Sequence, residues 1–191
     1  MDVPKSKVLE LNRQVTKLIN DVFSASPENP HAIPVIPVIG NNDLQPHNYI
    51  ELNDNVLFFF FFEQLWDHWI PKHQRKDFLK GEYFAADVAP GLRVLSMNTM
   101  FFSKKNPLAK ACQKQGSSGS THLEWYQQQL EKSRFEGVKI YVIGHVPPSP
   151  RDFFKRCLKD YVGITSIYSD IVFGHFYAYL NMDYFLMYEH I

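Results

Sequence analysis

Apolar and polar positions follow two rhythms along this chain. Residues 5–23 carry Val8, Leu9, Leu11, Val15, Leu18, Ile19, Val22 and Phe23 at helical spacing, which predicts an amphipathic helix packed against a sheet. Ser, Pro and Asn punctuation over residues 24–31 predicts a loop. Short β-branched runs then predict strands over 35–39, 81–88, 92–99, 140–143 and 170–173, with 179–190 alternating enough to form a last one. The second and third of these flank the turn Ala89-Pro90-Gly91 and read as a hairpin. Between the first and second of these strands, the 3/4 spacing of Phe62, Leu65, Trp66 and Trp69 predicts a helix within 49–70 that stops before Pro71. Further helices are predicted over 122–136, closed by Gly137, and over 153–169. Residues 103–120, rich in Lys, Gln, Gly and Ser and without periodicity, read as a mobile surface insert. Residues 146–150 hold three prolines and read as a stiff extended loop.

Composition narrows the class. At 191 residues, with 45% hydrophobic and 21% charged residues, the chain is of single-domain size and globular. Its formal net charge is zero, so the broad basic footprint of a nucleic-acid binder is missing. A polyanionic ligand would have to be held by a local patch or a metal. The longest apolar run, residues 56–62, falls far short of the roughly 20 residues that cross a bilayer. Its five consecutive phenylalanines read as core packing rather than a lipid-binding patch. The N-terminal residues carry no apolar core of signal-peptide length behind them. Cys112 and Cys157 match no zinc-knuckle spacing, and the sequence leaves their pairing open.

Candidate chemistry lies at the ends of three predicted strands. The run VIPVIG ends in Gly40 and continues as Asn41-Asn42-Asp43, IYVIG continues as His145, and DIVFG continues as His175. Open α/β sheets place their reactive groups just past the carboxyl ends of strands, where a glycine lets the backbone turn and approach a ligand. A single Gly-His pair is usually only a turn. Three Gly-Asn or Gly-His endings together predict one convergent site, in which an amide oxygen and two neutral imidazoles (Asn41, His145 and His175) are ordinary metal ligands.

The order strand-Gly-Asn-x-Asp, strand-Gly-His-x-Pro-Pro, strand-Gly-His resembles the calcineurin-like metallophosphoesterases. Within them it is most similar to the fungal endopolyphosphatases, the branch related to acid sphingomyelinase. The likeness rests on IPVIGNNDLQPHN (36–48), WDHWIPKHQRKDFLKGEYF (66–84), LSMNT (95–99), Leu123-Glu124-Trp125 and IGHVPP (143–148). It implies an α/β fold, part of a four-layer α/β/β/α sandwich, in which paired divalent metal ions hydrolyse phosphoanhydride bonds of inorganic polyphosphate. Asn41, His145 and His175 fall on ligands of one metal. The resemblance also implies a membrane-anchored protein of the vacuole, although this chain carries no targeting signal.

The departures are equally informative. The Asp-x-His and Gly-Asp motifs that supply the other metal and the bridging carboxylate do not precede Asn41. The expectation is therefore a C-terminal portion of one domain lacking its N-terminal strands, with at most one metal site retained. The position of the family's leaving-group histidine is Asn42, which suits an anhydride whose leaving phosphate needs little protonation, and His47 is a candidate substitute acid. Where a further histidine would follow His175, the chain has Tyr177 and Tyr179. Two expectations follow: a metal-dependent polyphosphate hydrolase impaired by missing ligands, or a catalytically inactive relative acting as an interaction or regulatory protein. A sheet without its neighbouring strands would also expose an apolar edge and self-associate.

Overall fold

The computed structural model describes residues 3–24, 32–50, 56–108, 112, 114–185 and 187, the side chains of 56–58 excepted. The chain is mixed α/β, with five α-helices: α1 (Lys5–Phe23), α2 (Val56–Leu65), α3 (Arg75–Gly81), α4 (Ser118–Phe135) and α5 (Lys155–Ile167). Its four strands are β1 (Phe84–Ala89), β2 (Leu92–Ser96), β3 (Lys139–Ile143) and β4 (Val172–Phe176), joined in that order in the one sheet among the described residues. β1 and β2 form the antiparallel hairpin expected from the sequence, its turn carried by Gly91 at φ +75°, where a side chain would be strained.

β2, β3 and β4 are parallel, and each parallel step is bridged by a helix, α4 and then α5. Right-handed crossovers that advance in one direction put both helices on the same face, and α4 packs against β2, β3 and α5. β2 is buried along nearly its whole length, as a strand covered on both faces must be. Phe62, Trp66, Phe78 and Phe84 form a ladder of aromatic contacts with centroids 4.6 to 6.1 Å apart, tying α2 and α3 to β1. Four of the five consecutive phenylalanines can be placed: Phe59 and Phe62 are core, Phe61 is half-buried against it, and Phe60 is exposed.

Three expectations need correction. Residues 35–39 form no ladder strand, because Pro34 and Pro37 remove backbone donors; the run stays extended, held by the Ser96 hydroxyl donating to the Pro37 carbonyl at 2.6 Å. The alternation after residue 179 also gives no strand over its described part, residues 179–185 and 187; the remainder of 179–190 lies outside the described residues. Finally, α1 forms over the predicted span but does not lay its apolar face on the sheet. Only Val8 and Thr16 are buried in it, whereas Leu11, Val15, Leu18 and Val22 are exposed. α1 instead lies over the Gly40 loop and α2, with Arg13 stacked on the Phe61 ring.

The segment beyond residue 102 is tied down at several points. Ser103 bridges to Phe153, Asn106 is fully buried with its amide donating to the carbonyls of Ile50 and Met100, and Cys112 forms a disulfide with Cys157 of α5. β4 is an edge strand with Phe173 62% and Phe176 58% exposed, so apolar side chains flank an unpaired edge among the described residues.

Candidate functional site

Parallel strands in one sheet aim their carboxyl ends in one direction, and the residues after β2 and β3 build the site together with His175. His175 lies inside β4, opposite Val142, rather than past the strand's end as the sequence predicts. After β2, Asn98 is buried and its amide donates to the carbonyl of Gly81 and to Glu82 Oε2, which fixes the turn that follows. Thr99 Oγ1 then accepts from the backbone N–H groups of both His145 and Val146, at 3.2 and 2.8 Å, and so sets the exit of the chain from β3. Gly144 is required there: a Cβ would lie 2.7 Å from both Thr99 Cγ2 and Tyr177 Cε1. Gly40 is also closely approached: its Cβ would lie 3.1 Å from His145 Nδ1, so the imidazole would have to give by a few tenths of an ångström. The two glycines let the loop at 40–48 close on the end of β3.

That closure places Asn41 Oδ1 2.7 Å from His145 Nε2. Burial lowers the pKa of His145 below the usual imidazole range, so the ring is neutral at pH 7 and carries one N–H. An amide oxygen only accepts, so that N–H sits on Nε2 and donates to Asn41. The Asn41 amide then donates to His47 Nε2 at 2.9 Å, and His47 Nδ1 lies 3.0 Å from the side-chain amide of Asn48. With Nε2 accepting, a neutral His47 ring carries its proton on Nδ1, toward Asn48. A continuous chain of hydrogen bonds thus runs from His145 through Asn41 and His47 to Asn48.

His175 belongs to a second cluster. Its Nδ1 lies 2.7 Å from the hydroxyl of Tyr161 on α5, and that hydroxyl is 2.6 Å from the Tyr177 hydroxyl. Tyr161 is fully buried, stacked on Tyr126 at 5.3 Å, and burial raises its pKa well above 10, so it keeps its proton. Burial also pushes His175 down to about 4, leaving a neutral ring. Tyr177 therefore stands beside His175 as a hydrogen-bonding partner of Tyr161.

Two clefts flank these clusters. One, of about 530 Å³, is lined by Asn41, His47, Asn48, Lys104, Lys105 and Arg151 among others. The other, of about 340 Å³, contains His175, Tyr177, Pro147 and Pro148. Asn42 faces neither; it lines a third opening against α1, together with Val8, Asn12 and His47. Two carboxyls belong to this region, half-buried Asp43 within the loop and fully buried Glu82. Asp43 accepts from the Gly40 N–H at 2.8 Å, Glu82 is 1% exposed, and burial raises the pKa of both, that of Glu82 further through the charge of Asp43.

Of the five residues singled out in the sequence, the structure brings Asn41, His145 and His47 into one chain. It gives His175 its own partners and turns Asn42 elsewhere. Among the described residues no three His, Cys, Asp or Glu side chains gather closely enough to hold a metal ion. The Asn41 oxygen and His145 Nε2, the two donors that could meet a cation, are spent on each other. The residues present therefore do not make a closed metal centre. Sequence patterning did not find Thr99, which stands within LSMNT without a role of its own, or Tyr161, which has no local signal and meets His175 only through the packing of α5 on β4.

No protein-family model matches the chain. It is homologous to curated proteins named endopolyphosphatase: 33% identical over 186 residues to that of Saccharomyces cerevisiae, covering 95% of this chain and 27% of the relative. It is 31% identical over 191 residues to that of Schizosaccharomyces pombe, covering 97% and 31%. With that of Neurospora crassa it shares 30% identity over 194 residues, covering 98% and 26%. The chain thus spans between a quarter and a third of the length of these relatives.

Proposed function

We infer that this chain, a homologue of the endopolyphosphatases over the segment they share, is part of a metal-dependent hydrolase of the calcineurin-like type that cleaves phosphoanhydride bonds of inorganic polyphosphate. The observation that carries this reading is the 30–33% identity to proteins named endopolyphosphatase over 95–98% of this chain, with Asn41 and His145 brought together beside a cleft rich in cations. Divalent ions, when bound, would neutralise phosphoryl oxygens and activate water. In this chain Asn41 and His145 are engaged with each other and His175 with Tyr161, so by itself it hydrolyses little or nothing.

The chain's own residues have definite work in this reading. Asn41 orients His145 and His47 in one plane of hydrogen bonds, and His47 presents a proton-bearing imidazole at the mouth of the cleft. Asn42 in place of an acid is tolerable because an anhydride leaves as a stabilised phosphate. The Cys112–Cys157 disulfide favours an oxidising compartment, in keeping with a vacuolar location. No helix among the described residues is long and apolar enough to cross a membrane. The exposed Phe173 and Phe176 on the β4 edge favour self-association of the isolated chain, which light scattering on Phe173→Ser/Phe176→Ser would relieve.

A second reading, a non-catalytic binding relative, is favoured by one observation: His175 is held by Tyr161, with Tyr177 close by. Setting this chain in place of the matched segment of a relative and incubating the folded chimera with long-chain polyphosphate and Mn²⁺ or Mg²⁺ separates the accounts. Cleavage abolished by His145→Ala supports the hydrolase, and binding with no cleavage under any cation supports the second reading.

A further inference from the structure

We propose that the cleft walled by Lys104, Lys105 and Arg151 is a binding site for an extended polyanion that takes several consecutive phosphates of one chain, and that these three cations are its positioning residues. The proposal rests on the hydrolase reading for the identity of the polymer, and on geometry for the site. Although the whole chain is neutral, three cations gather in this one cleft against a single carboxylate, Asp152. That carboxylate is 8% exposed and already accepts from the Ser149 hydroxyl at 2.6 Å and faces Arg151 Nε at 3.6 Å. The balance left facing solvent is positive, and low-dielectric walls focus it.

Two of the three cations, Lys104 and Lys105, are also anchored, unlike lysines on an open surface. Two loops form the wall: the Lys104 N–H donates to the Asp152 carbonyl at 2.8 Å, and Ser103 pairs with Phe153 as an isolated antiparallel bridge. Lys104 Nζ crosses between the loops to donate to the Pro150 carbonyl at 2.6 Å. Lys105 Nζ sits 5.6 Å over the ring of Tyr179, whose own ring packs edge-on against His145 at 5.4 Å. An anion on Lys105 is therefore separated from His145 by one aromatic ring, and Lys104 and Arg151 line the same cleft. A single phosphate engages one part of such a row, whereas a polymer engages all of it, so the site distinguishes chain from monomer.

The test is binding, measured without hydrolysis. Labelled long-chain polyphosphate is titrated with the full chain in EDTA at low and moderate salt, and orthophosphate is used as competitor. We expect binding that weakens steeply with salt and resists orthophosphate, and a loss of at least about tenfold in Lys104→Ala/Lys105→Ala/Arg151→Ala, with smaller losses in the single variants. A control with equal charge removed elsewhere, Lys17→Ala/Lys80→Ala/Lys132→Ala, should keep nearly full affinity; thermal melts establish that both triples fold. Equal weakening by the two triples, or equal competition by orthophosphate, overturns the proposal. Because no cleavage is required, binding that depends on the cleft but is never followed by hydrolysis defeats the enzymatic reading alone. Cleavage indifferent to the three cations defeats this proposal alone.

Discussion

Asn41 Oδ1 and His145 Nε2 stand 2.7 Å apart although 104 residues separate them in sequence. The contact joins the loop after an unpaired extended run to the end of a central strand. It decides the protonation of His145, whose single N–H is committed to Asn41. Replacing the amide by a carboxylate tests this. Asn41→Asp should raise the pKa of His145 by at least about one unit, since an acceptor charge at that distance favours the imidazolium. An NMR titration of the ring reads it directly, and an unshifted pKa would mean that the two side chains do not meet.

The glycines that permit the contact should differ in tolerance. An alanine Cβ at 144 would lie 2.7 Å from two neighbours, one on each side, whereas at 40 its nearest neighbour is the His145 ring at 3.1 Å. Both changes overpack, at about 1–3 kcal/mol each, and Gly144→Ala should be the more costly. Denaturant melts give the order. Gly40→Ala should also loosen the Asn41–His145 contact and alter the His145 titration, which Gly144→Ala need not do.

Stability should fall with acid, and one buried ring should account for much of the loss. His122 is fully buried, stacked on Tyr83 at 4.4 Å with Phe102 at 5.1 Å, and burial pushes its pKa from 6.5 down to about 3. The unfolded state takes up the proton first, so stability is complete above pH 6.5 and declines as pH falls toward 3, by about 2 kcal/mol at pH 5. Glu82 has the opposite sign: its raised pKa means the folded state holds the proton longer, and stability is lost as pH rises from 4.5 toward the folded value. His122→Phe should flatten the acid limb of a stability–pH curve and Glu82→Gln the alkaline limb. Unchanged slopes in both variants would refute the assignment.

The Cys112–Cys157 disulfide spans 45 residues that include α4 and β3. Closing such a loop is worth about 4 kcal/mol on the chain-entropy account, so reduction or Cys157→Ser should lower Tm by roughly 10 °C. Calorimetry with and without reductant measures it. Because Tyr161 lies one turn beyond Cys157 on α5, the same change should disturb the His175–Tyr161 hydrogen bond.

Most helices and the hairpin were legible because they are local. The 3/4 spacing around Trp66, the Pro90-Gly91 turn and the Gly137 stop each act within a few residues. Residues 35–39 misled because β-branched side chains signal a strand while Pro34 and Pro37 remove the donors a ladder needs. The α1 stripe signalled burial, yet nothing in a sequence names the surface that would cover Leu18 or Val22. Of the Gly-Asn and Gly-His endings, only Gly144-His145 stands past the end of a ladder strand; Gly40 follows none, and Gly174-His175 lies inside β4. They could not reveal that His175 would be taken by Tyr161, a residue on the neighbouring helix, or that Lys104 and Arg151 would be brought together by the pairing of two loops.

The most direct test of the account exchanges this chain for the matched 186-residue segment of the Saccharomyces cerevisiae endopolyphosphatase and follows the length of long-chain polyphosphate on gels. A folded chimera should shorten the polymer in a cation-dependent way and lose that activity with His145→Ala, while the chain alone leaves the polymer nearly intact. A folded chimera that binds polyphosphate but never cleaves it, or whose cleavage survives His145→Ala, would contradict the assignment of this segment to the catalytic edge of a polyphosphate hydrolase.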